Sequence, residues 1–222
     1  MFKEDAKEAV PIADLVLNTL LAVTPLRGRT GSDLRTAIGA FKANAQYLIQ
    51  TDQSGPPLAD IFDKARLAGV LATQLDVVRG IAVAQTPQTL GATLIKNAFI
   101  EFTLATECWI YAETTFASRN DVEATRQIMN AAFAPMEEIV ADNMDYATYR
   151  ALIELHAALS YHLVSTARPL PRMLSFQFAY PNATLYFAYR LYADAGRADE
   201  LRDENAVVHP AFMRPQGVGL SS

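Results

Sequence analysis

The stretch Leu174-Ser175-Phe176-Gln177-Phe178 alternates large apolar residues with polar ones, and it leads into Pro181-Asn182. Alternation with a period of two predicts a half-buried β-strand, and the Pro-Asn pair is typical of a turn. Two short helices are predicted to follow, one ending before Gly196 and the other over 199–205. The region 167–222 is therefore predicted to fold as a small β-α-α-β module.

The core of this module is predicted from residues at strand or helix spacing: Phe176, Phe178, Leu185, Tyr189, Tyr192 and Leu201. A cluster of aromatic side chains also fits a platform on which sugars or bases stack. Large rings more often form the core of a small module, which has few residues to bury. Because the region is locally basic, its surface is predicted to dock against an acidic neighbour through Arg190, Arg197, His209 and Pro210.

Length and charge limit the classes of protein to consider. The chain has 222 residues and a formal net charge of -5, and half of its residues are hydrophobic. A chain of this size and composition can bury a proper core. Its acidic balance argues against an extended surface for nucleic-acid phosphates, which needs clustered Lys and Arg. Cys108 is the only cysteine, so an internal disulfide is impossible.

Upstream of the module, helical periodicity between proline and glycine residues predicts five or six helices. The first is expected to begin at Pro11, and the second at a capping box formed by Thr30 and Asp33. A third is expected to run without interruption from Leu58 to near Gly80.

Two more start signals follow along the chain. Thr86-Pro87 predicts the start of a long apolar helix, and Asn120-Asp121 predicts the start of the next, with Pro135 as a site for a kink.

The predicted fold class is mainly α, a multi-helix bundle with a small C-terminal β-α-α-β module. Residues 1–55 are expected to form an N-terminal helical arm, 56–166 the helical bundle and 167–222 the module. The helices are apolar over more than a narrow stripe, which predicts burial against other chains and a homo-oligomer or ring.

No pattern for catalysis, a metal or a cofactor stands out, and the chain is predicted not to be an enzyme. Glu101 and Glu107 lie in the most apolar helix, but six residues apart they do not share a face. An inter-helix salt bridge or an oligomer contact explains them better than acid-base chemistry. His156 is predicted to be a hydrogen-bonded core or interface residue, and Cys108 a buried, inert thiol.

Neither export nor a membrane span is predicted. Charged residues precede any apolar run near the start, which differs from the order found in signal peptides. The most apolar run, 90–112, contains Lys96, Glu101 and Glu107, which are costly in hydrocarbon.

The run 185–201, with Asn205 and the segment 208–212, resembles the C-terminal part of the Mu-type phage tail proteins called DNA circularisation (DNA circulation) proteins. It is also similar to LysM-type modules. The specific combination is Ala-Tyr-Arg-Leu-Tyr at 188–192, Arg197-Ala-Asp-Glu, then Asn205 and His209-Pro210. A looser likeness extends upstream to about residue 116.

This resemblance implies a structural component of a contractile phage tail, made in the host cytoplasm and located in the virion at the baseplate or hub end. The implied partners are other tail proteins, such as tube, hub, wedge or tape measure. LysM modules also bind peptidoglycan sugars, through loops that correspond here to 180–184 and 209–216. A peptidoglycan-binding module of an injection particle is therefore the alternative.

Overall fold

The structure is a computed structural model that describes residues 3–221. The chain is mainly helical, with a small antiparallel sheet near its C-terminus, which confirms the predicted fold class. The elements are α1 (Lys3–Val23), α2 (Gly28–Gln50), α3 (Gly55–Leu67), α4 (Ala72–Val83), α5 (Leu90–Glu113), α6 (Arg119–Asp142), α7 (Tyr146–Ala167), β1 (Met173–Gln177), α8 (Thr184–Tyr192), α9 (Ala198–Glu204) and β2 (Gln216–Leu220).

The chain divides into two compact units whose limits differ from the predicted ones. A helical unit contains residues 3–114 and 129–159, and a second unit contains 115–128 and 160–221. The expected boundary at residue 55 separates no units, because α1 packs against α5, α4 and α2 inside the helical unit. The second unit holds the β-α-α-β module together with the start of α6 and the end of α7.

In the helical unit, α1 and α5 form the centre of the packing. The apolar side of α1 is fully buried at Val16, Leu17 and Leu20, and α5 buries Phe99 and Leu104. These spacings of three, four and five residues place the side chains on one broad face of each helix, which explains why both helices form and pack.

Helix α1 begins earlier than the sequence predicts, at Lys3, and Pro11 lies inside it. An interior proline removes one helical hydrogen bond and destabilises a helix. Ala6 and Ala9 are nevertheless completely buried in the preceding turns. Their tertiary packing stabilises the helix on the N-terminal side of the proline.

The predicted third helix is in fact two helices, α3 and α4. Gly69 lies between them with a φ of 87°, a left-handed conformation that residues with a Cβ atom rarely adopt. The apolar periodicity continues across the turn, because the buried Ala65 and Ala72 are seven residues apart, which is about two helical turns. Periodicity alone therefore could not show the interruption.

Three predicted helix starts are displaced by a few residues. Helix α2 begins at Gly28, and Asp33 lies 3.9 Å from the Arg29 side chain instead of closing a capping box with Thr30. The cap of α5 is Thr89 rather than Thr86, since the Thr89 hydroxyl accepts a hydrogen bond from the Ala92 amide.

Helix α6 starts one residue before the predicted Asn120. The Ser118 hydroxyl accepts from the Asp121 amide, while the Asp121 carboxylate accepts from both the amide and the hydroxyl of Ser118. This reciprocal pair satisfies backbone amides that the first helical turn leaves without partners. Pro135 lies inside α6, as its position in the sequence predicts.

The module has the predicted β-α-α-β order. Strands β1 and β2 pair in an antiparallel register in which Ser175 lies opposite Val218. Between them come α8, a single 3₁₀ turn and α9. Among residues 3–221, no helix combines the length and the apolar character that crossing a bilayer would require.

Candidate functional site

The module core lies between the sheet and the two short helices. Its fully enclosed members are Phe187, Ala188, Leu201 and Met213, and half-buried side chains surround them. The Phe178 ring stacks on the Phe187 ring with centroids 4.5 Å apart, and Phe176 lies 6.1 Å from the same ring. Aromatic rings therefore fill the centre of the module, as expected for a unit with so few residues to bury.

The prediction is wrong for two of the six residues assigned to the module core, which are exposed. Leu185 and Tyr189 are 60% and 61% exposed, whereas Leu201 is buried and Tyr192 is half-buried. The predicted spacing had the right period but the wrong phase, because α8 buries Thr184, Phe187 and Ala188 instead. The sequence offered a signal for Phe187, since 184, 187, 188 and 191 also fall on one helical face.

The outer face of α8 is formed by the residues that the core leaves out. Leu185, Tyr186 and Tyr189 are all exposed there, and the exposed Arg190 follows them. Spacings of three and four residues bring these side chains together on a helix surface. The result is an apolar and aromatic patch beside a positive charge, called the α8 patch below.

Arg197, predicted as a docking residue, is instead bound within the module. Its guanidinium carbon lies 3.8 Å from the centre of the Tyr192 ring. Its Nε and Nη2 atoms donate to the two carboxylate oxygens of Glu200, at 3.0 and 2.5 Å. A guanidinium held by a ring and a carboxylate in this way stabilises the fold. Two of its five N–H donors and one face of the guanidinium are therefore used inside the module.

His209 and Pro210 are exposed, as a docking role requires, but their backbone is also structural. The Pro210 carbonyl accepts from the amide of Thr184 at 2.7 Å and from its hydroxyl at 3.2 Å. This contact satisfies an orphan amide in the first turn of α8. His209 Nδ1 accepts from the Ala211 amide, and its ring lies 5.4 Å from the Phe212 ring.

The two loops that correspond to the LysM sugar-binding loops lie side by side. The amide of Asn182 donates to the Met213 carbonyl at 3.2 Å, and the Met213 amide donates to the Asn182 carbonyl at 2.8 Å. Tyr180 and Phe212 are 79% and 77% exposed beside this bridge. The second loop also lines an open cavity of about 500 Å³ whose polar lining includes His209, Arg214 and Gln216.

The acidic residues Glu101 and Glu107 of α5 lie in the helical unit. Glu107 is buried, and both of its carboxylate oxygens lack a hydrogen-bond partner among the described residues. Its Oε1 is 3.7 Å from Arg79 Nε, which makes the predicted inter-helix ion pair to α4. Burial raises the pKa of Glu107 to about 7, although the charge of Arg79 opposes the shift.

Burial also raises the pKa values of Glu101 and Cys108. Burial first, and the negative charge of Asp145 second, raise the pKa of Glu101 to about 7. Burial also raises the pKa of the Cys108 thiol to about 12. A thiol with so high a pKa carries almost no thiolate at neutral pH and is a poor nucleophile.

His156 is held by hydrogen bonds on both sides. Nδ1 lies 2.7 Å from Glu137 Oε1, and Nε2 lies 2.8 Å from Asn130 Oδ1. The imidazole stacks on the Phe133 ring with centroids 4.5 Å apart. These contacts account for His156 as a structural residue between α6 and α7, as the sequence predicts.

Within residues 3–221, no group of three or more His, Cys, Asp and Glu side chains is placed to hold a metal ion. No protein-family model matches the chain, and no curated protein matches its sequence. The α8 patch and the paired loops of the module are therefore identified as candidate sites from their own geometry.

Proposed function

We propose that this chain is a structural component of a contractile phage tail, or of a phage-like particle, at its baseplate or hub end. There it acts without catalysis as an assembly scaffold that docks to neighbouring tail proteins such as tube, hub, wedge or tape measure. The observation that carries this proposal is the α8 patch, an exposed apolar face on the one segment that resembles a tail-protein family.

The residues of that resemblance have two different roles in the structure. Tyr192, Arg197, Asn205 and Pro210 make contacts inside the module, so they belong to the signature because the fold needs them. Tyr189 and Arg190 make no such contribution to the core and are exposed. Their presence in the same signature supports a role at a surface that a partner covers.

The composition of the α8 patch also fits docking. Tyrosine and arginine are enriched at protein interfaces, because one gives a large rigid apolar area and the other a charge with directional donors. Leu185 adds an aliphatic side chain beside them. Exposed apolar side chains grouped on one helix face mark an interaction site more often than scattered ones do.

The test is recruitment into particles. Tails purified from cells that produce this chain should contain it in a fixed ratio to the tube protein, measured by quantitative mass spectrometry. The double variant Leu185→Ser/Tyr189→Ser should fold, because neither side chain is buried, yet it should be lost from the particles. Tyr161→Ser is the matched control, since Tyr161 is 77% exposed on α7 rather than on the patch. Absence of the wild-type chain from purified tails would end the proposal.

The alternative is a peptidoglycan-binding module of an injection particle, and the bridged loops favour it. Exposed aromatic rings beside polar groups suit sugar rings, which stack on apolar surfaces while their hydroxyls form hydrogen bonds. The Asn182 to Met213 bridge places Tyr180 and Phe212 in adjacent loops.

Sedimentation with purified peptidoglycan distinguishes the two functions. If the loops bind glycan, the full chain should co-sediment, and Tyr180→Ala with His209→Ala should abolish this. Leu185→Ser/Tyr189→Ser should leave it unchanged, since that patch belongs to docking. A wild-type chain that stays in the supernatant excludes the glycan function and leaves the scaffold function standing.

A further inference from the structure

Strand β1 has one edge paired with β2 and a second edge turned away from it. The direction of each backbone group follows from the flanking bonds. Phe178 donates its amide to the Pro215 carbonyl, and the Arg172 carbonyl accepts from the Ser221 amide. Backbone groups alternate in direction along a strand, so the amides and carbonyls of the even-numbered residues of β1 point toward β2. The amides and carbonyls of Met173, Ser175 and Gln177 therefore point to the outer edge.

The outer edge of β2 is occupied at its centre. The Asn205 side chain donates to the Val218 carbonyl at 2.7 Å and accepts from the Val218 amide at 2.8 Å. One side-chain amide thus makes the two hydrogen bonds that a third strand would make at the centre of β2.

The outer edge of β1 is closed at one end only. Asn120 Oδ1 accepts the Met173 amide at 3.0 Å. Beyond it, the outward amides of Ser175 and Gln177 have no partner among the described residues, and both residues are exposed. An unpaired row of backbone donors and acceptors is a template for another strand.

Nothing in the sequence of this edge opposes strand addition. Folded proteins protect edges with charged residues, proline or bulges. The segment 173–179 reads Met-Leu-Ser-Phe-Gln-Phe-Ala and contains none of the charged residues or proline that give such protection. Its register with β2 is also continuous, without a bulge.

From these observations we propose that the open edge of β1 pairs with β1 of a second copy of this chain. The two strands run antiparallel, with Ser175 of each copy opposite Gln177 of the other, and the sheets join as β2-β1-β1-β2. A second copy is the occupant that this edge fits, because one two-fold contact satisfies the outward groups of Ser175 and Gln177 in both copies at once.

The side chains support this register. It places Leu174 of one copy opposite Phe178 of the other, and Phe176 opposite its own equivalent. These are non-hydrogen-bonded pairs, in which side chains approach most closely. Leu174 is 56% exposed in the single chain and would gain an aromatic neighbour. Ser175 and Gln177 lie on the opposite, polar face.

The contact is small, so it is a weak one in isolation. Interfaces well below about 1,200 Å² are characteristic of transient association. In an assembly that holds several copies together, the effective concentration of the second strand rises and the same contact becomes persistent. The pairing does not depend on the proposed tail function, because it concerns the purified chain alone.

The test is sedimentation equilibrium of the full chain between about 10 µM and about 1 mM, the range in which small interfaces associate. The wild type should shift from monomer to dimer. Ser175→Pro removes an outward amide without touching the β1–β2 ladder, and it should raise the dissociation constant at least about tenfold, the loss expected from about 1.4 kcal/mol. Gln216→Pro is the matched control, because it removes an outward amide from β2, the strand whose central outward groups, those of Val218, are already bound by Asn205.

A second measurement covers the case in which Ser175→Pro disturbs folding, as circular dichroism would reveal. Gln177→Cys should form covalent dimers with a short bismaleimide, whereas Gln216→Cys should not, and the native Cys108 is buried. A wild type that stays monomeric at the highest concentration overturns the proposal. So does a folded Ser175→Pro that dimerises normally, or equal cross-linking at positions 177 and 216.

Discussion

The amide side chain of Asn205 takes the place of a third β-strand beside Val218. Its Nδ2 donates to the Val218 carbonyl, its Oδ1 accepts from the Val218 amide, and Nδ2 also donates to the Leu201 carbonyl at 2.8 Å. One side chain thus ties β2 to the end of α9. A Cβ atom at Gly217 would clash with Asn205, which explains why β2 carries glycine there.

Asn205→Ala should destabilise the module by about 2 kcal/mol, since it removes three hydrogen bonds and leaves strand groups without partners. Asn205→Asp should cost at least as much, because one carboxylate oxygen can still accept the Val218 amide but the other would face the carbonyl oxygens of Val218 and Leu201 with no hydrogen to donate. Urea unfolding followed by circular dichroism measures both. Equal stability of the alanine variant and the wild type would contradict this role.

Phe187→Ala and Tyr189→Ala should have opposite outcomes although the residues are two positions apart. Phe187 is fully buried, so its truncation should cost about 3 to 5 kcal/mol and expose the module to limited proteolysis. Tyr189 is exposed, so its truncation should change the unfolding free energy by less than about 0.5 kcal/mol. A proteolysis-sensitive Tyr189→Ala would place this residue in the core after all.

Arg197→Ala should destabilise the module by about 1 kcal/mol, since both the stacking on Tyr192 and the paired hydrogen bonds to Glu200 are lost. Arg197→Lys keeps the positive charge but not the planar guanidinium with its paired donors. Its stability should lie between those of the alanine variant and the wild type. Thermal unfolding distinguishes the three proteins. If Arg197 served docking alone, all three would melt together.

Glu107 should make the chain less stable as the pH rises. Its pKa is about 7 in the folded state and near 4.5 when unfolded, so the folded state holds the proton more tightly. The resulting loss of unfolding free energy is absent below about pH 4.5, grows to the order of 3 kcal/mol by pH 7, and changes little at higher pH. Glu107→Gln should flatten this slope in urea unfolding between pH 5 and pH 8. An unchanged slope would show that Glu107 is ionised throughout.

Glu8 should have the opposite pH dependence. Its carboxylate accepts from the Thr89 hydroxyl and from the amides of Gln88 and Thr89 at the start of α5. These bonds, led by that of the Thr89 hydroxyl, lower the pKa of Glu8. Glu8→Ala should therefore reduce the melting temperature at neutral pH, and the difference from the wild type should vanish as acid protonates the carboxylate. A difference that persists in acid would point to packing instead.

Apolar periodicity and turn residues allowed most helices of the chain to be predicted, but the positions of the helix ends were predicted less well. Thr86-Pro87 carries a stronger start signal than Thr89, yet the helix begins after Thr89 because Glu8, far away in sequence, binds the amides there. The interruption at Gly69 could not be predicted for a different reason: the buried residues on either side of it keep a helical spacing.

The candidate site was predicted in outline and misassigned in detail. The sequence identified Tyr189 and Arg197 as important but exchanged their roles, placing the tyrosine in the core and the arginine at the surface. A helix nine residues long has two faces of similar apolar content. Only the position of the sheet decides that Phe187 points inward. Likewise, nothing near Arg197 in sequence shows that the Tyr192 ring will lie beneath it.

By itself the sequence determined the helical class and the β-α-α-β order, because periodicity and turn residues act over a few positions. Tertiary structure alone decided which face of α8 is buried, which carboxylates lose their water, and which edge of the small sheet stays open. Those properties depend on groups distant in the chain, such as Asn205 beside Val218 and Asn120 beside Met173, which folding brings together.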